Sequence, residues 1–496
     1  VKMRVAWLLG VLLLAGCTGT RPPAATLSTD SLLRAAISRH IDVLASDDFE
    51  GRKPGTEGEA KTLRYLAREW QAAGLESGTN DPAHPWFAPV ELVSSTPERS
   101  AVRFTRAGRT ALLPRDEVVA FASGTRGLVE DAPVVFVGEQ GERLDSAALA
   151  GRVVLMMWDH AGQTEQREAL LRGGAAAVLA IVGDRAELDN LVEVRRRGSY
   201  RLAEADGADT LDGFVTRSAA AALIGRDRFE ALVRDAREAD FRPVALDLRS
   251  TIEAVSVAGM VRTFNLIARL PGKRPAAGAV LVLAHWDHFG HCSPDTGSPG
   301  ICNGAVDNAS GLAVLTEVAR RLASGPRLER DVYFVATTGE EWGLLGAQAI
   351  AENPPIPLDT IVAAFNLDTV AVAPAGTPVA IVGRGLTPLD PGILEVLRLT
   401  GRRESEERLA QEYLRRQDGW ALLQRDVPAV SVTSAFGSAE ALDRYIAQRY
   451  HQPTDEPGGI ELGGAVEDLL LTEALVRYFS DPAKWAATAG KSAAPL

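Results

Sequence analysis

Cysteine is scarce in this sequence: Cys17, Cys292 and Cys302 are the only three among 496 residues. So small a set excludes a disulfide framework and a cysteine-based zinc knuckle. Positive charge is in deficit as well. Lys and Arg number 53 against 65 Asp and Glu, a net charge of −12, and no basic block interrupts that balance. The deficit argues against a nucleic-acid surface. The N-terminal apolar run, Val5 to Leu14, is shorter than the ~20 residues a membrane-spanning helix needs. No internal repeat occurs, and low complexity is confined to the stretch after Cys17 and the tail AATAGKSAAPL. What remains is 46% hydrophobic and 24% charged, a globular composition able to bury a large core. The length suggests roughly two to four domains.

Lys2 and Arg4 precede the apolar run, which ends in Leu14-Ala15-Gly16-Cys17. A charged start, a short apolar core and small residues at the end form an export signal. The LAGC ending resembles the bacterial lipobox. That resemblance implies removal of residues 1–16, lipid on the Cys17 sulfur and attachment through it to the outer membrane, facing the periplasm or the cell surface. Thr18 is not an aspartate, so nothing signals retention at the inner membrane. Residues 17–30 then read as a tether.

Helical spacing follows from Ser31 to Leu44 and again from Thr56 to Leu75, separated by a loop marked by Gly51, Pro54 and Gly55. Residues 31–112 are expected to form the first part of one domain. From 113 to 258 the texture changes to short β-branched strands (APVVFVG, GRVVLMMWD, AAVLAIVG) with no acidic pair behind any of them, which predicts an inserted β-rich module. Strand-helix alternation resumes over 259–484, and 485–496 is a tail. Such alternation predicts an α/β fold with a doubly wound, mostly parallel sheet.

The chemistry gathers where apolar runs end. LVLAH gives His285 with Asp287; DVYFVATTG gives Glu340 and Glu341; IVAAFNLD gives Asp368; Asp307 opens a helical pattern; His451 follows a loop. In an open parallel sheet, ligands bind beyond the carboxyl ends of the strands. A lone His in a loop is ordinary, and a Glu-Glu pair is usually solvated. Two adjacent carboxylates behind a buried strand, however, need a cation or a proton to coexist. His with Asp and Glu is a donor set suited to zinc.

HWDH, DNASG, TTGEEWGLLGA, NLD and YHQPTDEP resemble, in order, the signature segments of the co-catalytic two-zinc aminopeptidases, metallopeptidase family twenty-eight. ASDDFEGR resembles a segment near the start of many of them, and 113–258 resembles the protease-associated domain often inserted in these peptidases. The resemblance implies peptide substrates and two Zn2+ ions. Asp307 would bridge them, His285 and Asp368 would complete one site, and Glu341 and His451 the other. Glu340 would be the general base, and Asp287 would orient His285 through its other ring nitrogen. Cobalt or manganese would suit the same donors, since affinity alone does not select a metal in a cell.

Other expectations are open to test. A carboxypeptidase or dipeptidase would use the same metal core, and a receptor-like binding protein would be marked by loss of a ligand or the base. Where the family often has Ser-Asp-His, this chain has Gln417-Asp418-Gly419, which leaves side-chain preference open. His288 and His291 read as loop residues, and Trp342, Phe436, Tyr445 and Tyr450 as candidates to line a side-chain pocket. Cys292 and Cys302 lie ten positions apart in a loop rich in Pro and Gly. In an oxidising compartment, with Cys17 taken by lipid, they are expected to pair with each other.

Overall fold

The computed structural model describes residues 28–486 apart from 112, 114–115, 139–145, 159–162, 205–208, 239, 294–299 and 407–408. The expected export signal, Cys17 and nearly all of the tether and tail lie outside the described residues.

Every residue of the strand Ala279–His285 is buried, the mark of a strand covered on both faces. Asp331–Thr337 and Ile361–Asn366, also buried throughout, flank it in parallel. His285 sits beside Thr337 and Leu283 beside Asn366, so the three strands end almost level. Ala429–Thr433 extends this parallel set, and the short strand Ala380–Val382 closes that edge antiparallel.

Helices cover both faces. On one, Thr29–Leu44 contributes Leu33, Ile37 and Ile41, Gly311–Ser324 contributes Leu315, Val318 and Leu322, and Leu462–Phe479 contributes Leu469 and Val476. Their three-to-four-residue spacing places one apolar stripe per helix on the sheet. On the other face Ile350 of Leu345–Glu352 and Leu422 of Gly419–Leu423 pack against Leu281, Leu283 and Val335. The chain is thus a mixed α/β protein around a mostly parallel central sheet.

Two long strands, Phe87–Arg106 and Val244–Leu270, pair antiparallel and carry the chain away from this sheet and back. The end of Val244–Leu270 pairs with Asp331–Thr337, while its beginning pairs with Arg126–Gly138 of the inserted residues. One 15-stranded sheet results. The boundary expected at 258 therefore falls inside a continuous strand. Beyond Arg126–Gly138 the order runs Val153–Met157, Ala177–Val182 and Leu211–Thr216, all parallel, with Val118–Ala122 antiparallel at the edge. Leu170 and Leu188 lie in a core on one face, and Leu223 and Phe229 in a core on the other, all four from helices. The insert is α/β rather than simply β-rich, because its small and charged segments form helices that cover the strands. Among the described residues no helix is long and apolar enough to cross a membrane.

Candidate metal centre

The level strand ends bring the predicted residues together. His285 closes its strand, Asp368 stands two residues past Ile361–Asn366, and Glu340 and Glu341 occupy the turn Glu340–Trp342 after Asp331–Thr337. The regular helix starts at Gly311, later than the pattern suggests. Asp307 and Asn308 before it have non-helical backbone, with a cis peptide between them.

Asp307 faces two ways. Its Oδ1 is 3.2 Å from His285 Nε2, which is itself 3.4 Å from Asp368 Oδ1. Its Oδ2 is 3.4 Å from His451 Nε2, which is 3.0 Å from Glu341 Oε2. The Nε2 atoms of His285 and His451 are buried and have no hydrogen-bond partner among the described residues. They are aimed at carboxylates without the geometry of a hydrogen bond, as imidazoles are when a cation belongs between them. Glu340 stands apart from both sets, with Oε2 3.9 Å from His285 Nε2.

Burial and the neighbouring charges drive the paired glutamates in opposite directions. Burial, reinforced by Asp368 and Glu341, pushes Glu340 well above the usual carboxylate range despite His285. Burial also acts to raise Glu341, but His451 and His288 hold it down to about 2. Asp307, likewise buried, is held well below the ordinary value by His285 and His451.

Asp287 meets the other ring nitrogen of His285 through its main chain. His285 Nδ1 lies 3.2 Å from the main-chain oxygen of Asp287, whereas the nearer carboxylate oxygen is 4.0 Å away. That carboxylate instead accepts from the Glu340 amide at 3.1 Å and the Glu341 amide at 3.4 Å, so it fixes the glutamate turn. His288, expected as a loop residue, is wholly buried, and its Nδ1 hydrogen-bonds Glu341 Oε1. It forms a donor group with Asp307 and Glu341 close enough for a metal. Its Nε2 has no hydrogen-bond partner among the described residues. His451 nonetheless has the stronger claim as ligand, because one of its nitrogens faces both Asp307 and Glu341. His291, expected as a loop residue, is exposed and lies in the short hairpin strand Gly290–Ser293.

Sequence reasoning missed two supports. Arg52 is fully buried and donates to four carbonyls, those of Leu44 (2.8 Å), Trp286 (2.9 Å), Asn303 (2.6 Å) and Gly304 (3.0 Å). It ties the SDDFEGR segment to the loops beside His285 and Asp307. Asp455 accepts from the amides of Val306 and Asp307 at 3.1 Å each. An arginine without an acid partner in sequence gives no signal of such burial. Asp455 lies within YHQPTDEP, where the resemblance offered a pointer. Gly51 matters sterically: φ is +63°, and a Cβ there would meet Cys302 O at 2.5 Å.

Asp418 is buried and accepts from Thr337 Oγ1. Cys292 and Cys302 are disulfide-bonded across the hairpin Gly290–Ser293/Gly300–Cys302, with Cα atoms 5.7 Å apart. Of the four aromatic candidates, Phe436, Tyr445 and Tyr450 line a cavity of about 110 Å³ that opens on Asp307, Glu340 and Asp368. Trp342 does not; it packs edge-on against Tyr200 of the insert and against Phe289.

Residues 265–467 match Peptidase family M28. The chain is 40% identical over 93 residues to the alkaline phosphatase isozyme conversion protein of Escherichia coli (strain K12), covering 18% of this chain and 26% of that protein. It is 36% identical over 110 residues to a probable zinc metalloprotease of Pyrenophora tritici-repentis (strain Pt-1C-BFP), covering 22% and 25%. The chain thus spans about a quarter of the length of these curated relatives. Among solved structures it resembles an aminopeptidase from Aneurinibacillus sp. strain AM-1, with TM-score 0.57 and 18% identity over 93% of this chain and 96% of that one. It also resembles a peptidase M28 precursor from Shewanella amazonensis SB2B, with TM-score 0.52 and 14% identity over 94% and 98%. These two likenesses establish the fold.

Proposed function

We propose, from the match of residues 265–467 to Peptidase family M28, that this chain is a zinc-dependent aminopeptidase that removes N-terminal residues from peptides. The observation that carries the reading is Asp307, whose two oxygens serve two separate donor sets. His285, Asp307 and Asp368 would hold one ion, and Asp307, Glu341 and His451 the other. Three nitrogen and oxygen donors with room for a further ligand suit a catalytic zinc.

Bound zinc would lower the pKa of water toward ~7 and polarise the scissile carbonyl. Glu340, outside both donor sets, takes the proton of the attacking water and returns it to the leaving amine. Asp287 keeps Glu340 in place by accepting its amide. The carboxylates that open on the cavity also suit the free amine of a substrate, which favours cleavage of the first residue. Export and lipid attachment at Cys17 belong to the same proposal and are supported by the N-terminal sequence. Mass spectrometry of the mature N-terminus tests them.

Metal analysis beside an aminoacyl-anilide panel tests the main reading. Two zinc ions per chain and anilide hydrolysis are the expected results. Cleavage of N-blocked dipeptides alone would turn the reading toward a carboxypeptidase. Metal-loaded protein inert on both would turn it toward a binding protein.

A further inference from the structure

Beside the acids Asp307, Glu340 and Asp368, the cavity has walls of two further kinds. Val382, Phe436, Leu442 and Ile446 are apolar. Arg416, Ser431 and Tyr445 line the same space with hydrogen-bonding groups. The Ser431 and Tyr445 hydroxyls are buried and have no hydrogen-bond partner among the described residues. A buried hydroxyl left unpaired is costly, so two in one cavity indicate a ligand that pairs with them.

Arg416 adds the charge. Its guanidinium donates to the Tyr450 hydroxyl at 3.1 Å and lies over the rings of Tyr413 and Tyr450, at 5.2 and 5.9 Å from their centroids. Glu340, which lines the same cavity, acts on Arg416 electrostatically without a hydrogen bond to it among the described residues. The position of Arg416 is set, because the Tyr450 ring stacks on His451 with centroids 3.7 Å apart. An arginine lying over two aromatic rings at a cavity wall, with donors to spare, suits a carboxylate ligand.

The geometry points to a substrate preference: the cavity receives the side chain of the residue being removed, and Arg416, Ser431 and Tyr445 select one that ends in a carboxylate, glutamate above all. The apolar walls pack its methylenes. A lysine side chain would bring a second cation against Arg416. This inference rests on the aminopeptidase reading and names the substrate class for it.

The test compares glutamyl, leucyl and lysyl p-nitroanilides on the wild type, Arg416→Leu and Arg416→Lys. Calorimetry of free L-glutamate, L-leucine and L-lysine on the zinc-loaded proteins accompanies it. The wild type should prefer the glutamyl to the lysyl substrate. Arg416→Leu should lower the glutamyl-to-leucyl ratio of kcat/KM by roughly 10–100-fold, the worth of a charge-assisted hydrogen bond. Arg416→Lys should recover part of that ratio. An unchanged ratio in Arg416→Leu, or a wild type that prefers the lysyl substrate, overturns the assignment. Should none of the anilides be cleaved, the aminopeptidase reading fails, and calorimetry still decides the cavity. Glutamate bound more tightly than lysine in the wild type but not in Arg416→Leu supports the carboxylate site; equal binding overturns it.

Discussion

At the scale of single residues, the site depends on atoms that hold ligands as much as on the ligands. Glu340 lies outside both donor sets, so Glu340→Gln should keep both metals while turnover falls about 10²–10⁴-fold. Metal content measured on the assayed sample separates this from a binding defect: zinc loss would exchange the roles of Glu340 and Glu341. Asp455 acts on Asp307 through its amide. Asp455→Ala should weaken zinc roughly 10–100-fold, the usual cost of losing such a support. Competition against a chromophoric chelator reads the effect, and an unaltered affinity would show that Asp307 holds its place unaided. The bridge between Cys292 and Cys302 predicts that neither residue reacts with a thiol reagent in denatured, unreduced protein.

At the scale of elements, the helix Gly311–Ser324 does two jobs. Its start follows Asp307, and its buried stripe seats it on the sheet. Within it Glu317 faces His40 of Thr29–Leu44 at 3.1 Å and Arg320 at 2.9 Å. Burial acts to raise the Glu317 pKa, but the bonds from His40 and Arg320 prevail and lower it from 4.5 to about 2. A depressed carboxylate stabilises the fold fully above its unfolded pKa, and that contribution disappears as pH falls through the folded one. Stability should therefore decline as pH drops from 4.5 toward 2, by on the order of 3 kcal/mol from this residue. Glu317→Gln should flatten that part of the profile in urea melts. A wild-type slope that persists in the variant would assign acid sensitivity elsewhere.

At the scale of the whole molecule, the insert is joined to the metal-bearing part by more than its ribbon. Tyr200 packs edge-on against Trp342, the residue after Glu341, with centroids 4.8 Å apart. Lys53 donates to the Arg197 carbonyl at 2.9 Å. The Arg197 guanidinium lies 5.2 Å from the Phe289 ring centroid, and that ring lies 4.7 Å from His451. A route of packed rings thus runs from the insert to a candidate ligand. A double-mutant cycle of Tyr200→Leu with Trp342→Leu should give a coupling of about 0.5–1.5 kcal/mol in unfolding free energy. Additive effects would mean that the Tyr200–Trp342 contact does not couple the two parts.

Sequence by itself determined the alternating strands and helices, because apolar runs and helical stripes are local patterns set by burial. It also marked His285, Asp307, Glu340, Glu341, Asp368 and His451, since each stands just past a buried strand or within a distinctive segment. Only the tertiary structure decided which atoms meet. Register levels the strand ends, and nothing local encodes a partner 52 or 110 residues away, as His285 is from Thr337 and Glu341 from His451. The burial of Arg52 and His288, the orientation of Asp287 toward the glutamate turn, and the continuity of one strand through the expected domain boundary all follow from long-range packing. A polar side chain enters a core only when distant backbone groups converge to satisfy it, and that convergence is a property of the folded chain.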